Sequence, residues 1–248
     1  MNQLAKSFDE IVIKRRAYRV FDTKLGIPDE VVKRSLERAI LAPSSSNMQL
    51  WEFYRIKTKE NLKIAGEICL SQSGATTAPE IVVFVSRSDL WQKRINTHLE
   101  RIQKSSLETN QSHDKNRLFS GGETTYYKKL MPSFYNPSFP CIKNIFKRIY
   151  VWIKGRKKPF MQDVTSKYID IVAHKSCALA AQTFMLSISA EGYDSLPMEG
   201  LDSKRMKKLL NLPKTAEINM AISVGKGLPE GIRGERFRLD YDEVVFQK

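Results

Sequence analysis

The stretch Ile171–Ala190, IVAHKSCALAAQTFMLSISA, restricts the fold more than any other part of the sequence. It reads as one long helix ended by Gly192. Its Ala, Ser and Cys positions let a neighbouring element approach closely, which places it at the centre of a fold or in the core of a dimer. His174, Lys175 and Gln182 argue against a membrane span. Nowhere does the sequence run ~18 apolar residues unbroken.

Around that helix, helical patterns outnumber strand patterns. Leu4, Phe8, Ile11 and Val12 fall at helical spacing over 4–16, with basic residues closing the run. Pro28 opens a second helix with Asp29 and Glu30 in its first turn and Val31, Val32, Leu36, Ala39 and Ile40 on its apolar face. That helix stops at Pro43, and PSSSNMQ (43–49) is a polar loop. Residues 51–57 alternate as a strand, 62–73 read as a helix, and the apolar run Ile81–Val85 is a buried strand. Beyond the long helix, SLPMEGLD (195–202) reads as a turn segment and 203–210 as a helix. Residues 219–224 form a strand emptying into Gly225 and Gly227, and the tail GERFRLDYDEVVFQK is strand-like with a polar end. Few strands among many helices predict an α+β fold, or a three-layer sandwich.

Residues 87–165 differ in character, being polar, Gly/Pro-punctuated and aromatic in turn. They read as an insertion within a single domain spanning 1–248. Ile142, Ile145, Phe146, Ile149, Trp152 and Ile153 share one helical face there. A covering helix that packs on the body is the first reading of that face, and adhesion to a membrane surface the second.

The net charge is +14. Residues 141–160 carry Lys143, Lys147, Arg148, Lys154, Arg156, Lys157 and Lys158 and no acid, and Lys14, Arg15, Arg16 and Arg19 crowd together near the start. No RNP-type aromatic motif, zinc finger or basic zipper organises these charges, so nucleic acid is not an expected partner. Anionic small molecules or membrane surfaces fit better. Cys69, Cys141 and Cys177 and His98, His113 and His174 are scattered, which predicts free thiols in a reducing compartment and no metal site. Asp9 and Glu10 interrupt any secretory signal, and the expected location is cytoplasmic.

Neither a Gly-x-Gly-x-x-Gly fingerprint nor a P-loop is present, and no nucleophile triad or His-Glu-x-x-His signature appears. Three segments instead suit a phosphorylated, planar, hydrogen-bonding ligand. Arg15-Arg16-Ala17-Tyr18-Arg19 offers guanidiniums for a phosphate. Pro43–Gln49 offers hydroxyls and amides, and Pro197-Met198-Glu199-Gly200 a tight turn with backbone N–H groups to present. Taken singly, each has an ordinary reading: a solvated helix face, a loop, a turn.

Together and in order, KRRAYRVFD, ERAILAPSSSNMQLWEF, APEIVVF and SLPMEGLD resemble the FMN-dependent nitroreductase family, over about 5–86 and 166–245. The resemblance implies a three-layer α/β/α fold around a mostly antiparallel sheet, in an interdigitated homodimer with FMN at the subunit interface. Arg15, Arg16, Ala17 and Arg19 would meet the phosphate and the polar flavin edge. Pro43, Ser44, Ser45, Asn47 and Gln49 would approach from the partner copy. Pro197, Met198, Glu199 and Gly200 would line the flavin ring, Gln72 its pyrimidine edge, and Arg236 and Arg238 the phosphate. It further implies NADH or NADPH as hydride donor and a small electron-poor acceptor such as a nitroaromatic or quinone, with no catalytic side chain, because the flavin carries the chemistry. Reductive dehalogenation or flavin fragmentation on the same scaffold, and a non-enzymatic basic surface-binding protein, stay open as alternatives. Tyr126, Tyr127, Phe134 and Tyr135 of the insertion are candidates for a lid over the acceptor. Ala17 departs from a common Ser, and Ser71 and Gly74 from Lys or Asn, which bears on cofactor affinity.

Overall fold

The computed structural model describes residues 2–111, 121–136, 149–156, 158, 159, 161 and 165–248. Its centre is a sheet of strands β1 (Trp51–Ile56), β2 (Glu80–Ser86), β3 (Asp194–Met198) and β4 (Glu217–Gly225), in spatial order β1-β2-β4-β3 with every pairing antiparallel. Helices α1 (Gln3–Lys14), α2 (Asp29–Ile40), α3 (Lys59–Ile68), α4 (Ser73–Thr77), α5 (Trp91–Gln111), α6 (Gly121–Thr125), α7 (Met131–Tyr135), α8 (Ser166–Ala190), α9 (Ser203–Leu209) and α10 (Tyr241–Val244) surround it. A π-helical stretch, Tyr126–Leu130, joins α6 to α7.

Strand β2 is buried at every position because both faces are covered. Ile81, Val83 and Val85 join one core, with Ala65 and Ile68 of α3, Ala75 of α4 and Met206 of α9. Val82 and Phe84 join another, with Val31, Val32 and Ala39 of α2 and Ala180, Ala181, Phe184 and Ile188 of α8. Two-sided burial explains the unbroken apolar run in the sequence. The layers are therefore α/β/α, as expected.

The small residues of α8 do the work anticipated for them. Ala180 and Ala181 are fully buried, and Phe184 meets Phe84 with ring centroids 5.4 Å apart. A seam of polar contacts fixes α8 against α2: the Ser187 hydroxyl donates to Ser35 at 2.9 Å, and Glu191 accepts from Arg34 and Arg38 at 2.8 and 2.7 Å. Those two guanidiniums hold the Glu191 carboxyl down at about 2. Burial pushes the Cys69 thiol up to about 11 and Cys177 to about 12, so neither is a reactive thiolate. Cys141 and His113 lie outside the described residues.

Five expectations change. The helix expected over 62–73 is two helices, because Leu70 and Ser71 adopt positive φ (59° and 53°) and turn the chain between α3 and α4. SLPMEGLD holds a strand, not a turn: β3 is an edge strand, and an edge accommodates Pro197. The insertion contains α5, of 21 residues, whose Ile95 and Ile102 form a third core with Met48, Leu50, Tyr127, Met131 and Ala173. The amphipathic stretch around 149–155 is helical but does not cover the body with the expected face. Val151 is buried, whereas Ile149, Trp152 and Ile153 are exposed. Ile142, Ile145 and Phe146 lie outside the described residues. The tail forms no strand; it is irregular as far as α10.

Candidate functional site

The chain leaves α1 at Arg15 and runs along the free edge of β3. Ala17 bridges Ser195, Tyr18 N–H donates to Ser195 O at 3.2 Å, and Phe21 bridges Gly227. Arg19 N–H donates to Gly231 O at 2.9 Å. These approaches leave no room for a side chain at Gly231 and crowd Gly74 against Leu196. A Cβ on Gly231 would lie 2.6 Å from Val20 N, and one on Gly74 would lie 2.2 Å from Leu196 Cδ2.

This packing gathers the arginines that the sequence separates by more than two hundred positions. Arg16 donates to Gly234 O at 2.9 Å. Arg236 donates to the carbonyls of Val12, Ile13 and Arg15 at 3.2, 2.7 and 2.7 Å, taking up the unpaired acceptors at the end of α1. The Arg15 guanidinium is depressed, first by burial and then by repulsion from Arg236, Arg238 and Arg16. Among the described residues, none of Arg15, Arg16, Arg19, Arg236 and Arg238 has a carboxylate within ion-pair reach. A cluster of like charges without a counter-ion is what an anion site looks like when built from protein alone.

Residues 197–200 continue the chain from Ser195, which meets Ala17 and Tyr18, in a form that corrects the sequence reading. Pro197 and Met198 end β3 opposite Ile222 and Ala221 and make no tight turn. Met198 buries its side chain in the core, so it has only its backbone to offer a ligand. Glu199 and Gly200 follow the last paired residue and are exposed. Gln72 ties this end down, its amide nitrogen donating to Cys69 O at 3.0 Å and Gly200 O at 2.9 Å. Both bonds use the amide nitrogen, so Oε1 is the atom of this side chain that can still accept.

The loop 43–49 lies elsewhere in the protomer. Ser45 N–H donates to the Ser176 hydroxyl of α8 at 3.3 Å. Gln49 N–H donates to the Ser44 hydroxyl, while the Gln49 amide donates to Asn47. Pro43 is exposed. The loop's other partners come from the insertion: Tyr127 O–H donates to Ser46 O at 2.9 Å, Tyr126 and Ser46 share a hydroxyl pair at 2.6 Å, and His98 Nε2 donates to Asn47 O at 2.8 Å. Ser46, Asn47 and Gln49 all hold positive φ, near 50°. Non-glycine residues stay in that region only when their surroundings impose it, and such strain gathers at functional sites.

His98 escaped the sequence reading, although Ile95, His98 and Ile102 repeat at helical spacing on the buried face of α5. Its ring stacks on Tyr127, centroids 4.4 Å apart. Because a carbonyl only accepts, Nε2 carries the proton, and the buried Nδ1 has no partner. Beside the loop lies a cavity of about 380 Å³, lined by Ser45, Ser46, Tyr126, Phe134, Tyr135 and Tyr168 among others. Three of the four aromatics proposed for a lid border it; Tyr127 is instead buried beneath the loop.

Residues 12–226 match the model of the nitroreductase family. YdgI of Bacillus subtilis (strain 168), named as an NAD(P)H nitroreductase, is 26% identical over 238 residues, covering 94% of each chain. Among solved structures, the nitroreductase-named ydfN of Bacillus subtilis superposes with a TM-score of 0.75 at 19% identity, over 99% of this chain and 100% of its own. A nitroreductase-named protein of Exiguobacterium sibiricum 255-15, crystallised in complex with FMN, gives 0.65 at 23% identity over 97% of both chains.

Proposed function

The chain belongs to the nitroreductase family, and we propose that it binds FMN and passes hydride from NADH or NADPH to a small electron-poor acceptor such as a nitroaromatic or quinone. The observation that carries this reading is the cluster of Arg15, Arg16, Arg236 and Arg238, none with a carboxylate in ion-pair reach among the described residues. These residues fit a phosphorylated flavin. Arg15, Arg19 and Arg238 would hold the phosphate, and Arg236, engaged by three carbonyls, would fix the end of α1 that presents Arg15. The backbone beyond Met198 would meet the ring, with Gln72 Oε1 at its edge. Bound FMN supplies the two-electron chemistry. Donor N–H groups and guanidiniums around its polar edge favour the charge that reduction places there.

In this reading the enzyme is a homodimer, and the loop 43–49 completes the site of the other copy. Two facts support it. The loop bonds to none of the arginine cluster in its own chain, and α1 buries no residue while exposing Leu4, Phe8 and Ile13. The 380 Å³ cavity beside Ser45 and Ser46 then serves the acceptor, and the expected location is cytoplasmic.

Absorption spectroscopy tests the core of the reading. The purified protein should be yellow, or take up FMN with quenching of flavin fluorescence. Arg15→Ala and Arg19→Ala should each weaken uptake roughly tenfold or more, the usual loss for a charge-assisted hydrogen bond. A colourless protein that leaves FMN fluorescence unchanged overturns it.

A further inference from the structure

The helical stretch 149–155 presents a face that neither the sheet nor the candidate site uses. Val151 is its buried anchor, 4% exposed, while Ile149, Tyr150, Trp152 and Ile153 are 49, 55, 57 and 51% exposed. At about 100° per residue those four side chains occupy an arc of roughly 160° opposite Val151. Lys154, Arg156 and Lys158 are exposed with them. Arg156 lies over the Trp152 ring at 3.7 Å and Lys154 over Tyr150 at 5.7 Å, so each cation rides on an aromatic surface.

Charge decides what fits this face. From Thr124 to Gln162 the chain has no Asp or Glu, and it carries nine Lys and Arg there, which is most of the net +14. A second copy meeting the face across a twofold axis would bring Lys154, Arg156 and Lys158 against their own counterparts. A nucleic acid would satisfy the cations but gives Ile149 and Ile153 nothing to pack on. An anionic lipid surface satisfies both halves: apolar and aromatic side chains sink into the headgroup boundary, and the cations meet phosphates.

We propose that residues 149–156, with Lys158, form a docking face for an anionic membrane surface. It is independent of the flavin reading, since it uses none of the same residues. The test is co-sedimentation of the full-length protein with vesicles of phosphatidylcholine alone or mixed with phosphatidylglycerol. Binding should require phosphatidylglycerol and fall as salt rises. The double variant W152S/I153S should bind at least about tenfold more weakly. The triple variant K154Q/R156Q/K158Q should lose about fivefold per charge at low salt. Both should unfold at the same temperature as the parent, because the changed side chains are exposed. Equal binding to neutral vesicles, unchanged binding by either variant, or a change of oligomeric state in W152S/I153S would overturn the proposal. Preferential release by duplex DNA would also count against it.

Discussion

The arginine rim and the loop 43–49 are held in place by opposite means. Along the rim, backbone meets backbone: residues 18–22 bond to Ser195, Lys226, Leu228 and Gly231, and a Cβ on Gly231 would run into the backbone of Val20. In the loop, side chains from α5, Tyr126–Tyr127 and α8 clamp a backbone that is itself strained. The rim therefore tolerates many side chains but no added bulk at Gly231. The loop tolerates bulk but depends on particular aromatic partners.

Substitutions can break this contrast. Gly231→Val forces Val20 and Arg19 away from the 229–231 turn and should have the largest effect. About 3 kcal/mol of stability should be lost in urea unfolding, and anion binding at the rim with it. A midpoint unchanged from the parent would show that the rim is not packed as described. His98→Ala removes the stack on Tyr127 and the bond to Asn47 O, and should cost about 2 kcal/mol. Limited proteolysis should then cut within 43–49 while the sheet stays protected. Tyr127→Phe deletes one bond to Ser46 and should cost about 1 kcal/mol; a neutral outcome would shift the weight of the clamp onto His98 and Tyr126.

Outside both regions, the Glu191 seam gives a small pH effect of known sign. Its carboxyl is lowered from 4.5 to about 2 in the folded chain, so its contribution is complete above 4.5 and lost as pH falls toward 2. Stability measured between those limits should fall less steeply in Glu191→Gln than in the parent.

Much of the layered core was legible in the sequence because burial writes itself into composition. The apolar run at 81–85 and the small residues of α8 declared two-sided packing directly. β3 was hidden because Pro197 normally argues against a strand, and only the sheet order shows that it sits at an edge. α5 was hidden because its apolar stripe is thin, Ile95 and Ile102 among charged neighbours. Within the candidate site, the N-terminal arginines could be named from sequence. That Arg236 would spend its donors on α1 carbonyls could not, since that contact depends on how the tail folds back over a distant helix.

That tail contact ties two events together. α1 has no buried side chain, and its last carbonyls are held by Arg236 from the far end of the sequence. Within a single copy a helix so weakly anchored frays readily, and Arg15 at its C-cap frays with it. An anion captured at the rim must pay for winding that last turn and, once seated, keeps it wound. Slow amide exchange in α1 and slow departure of the anion should therefore rise and fall as one quantity.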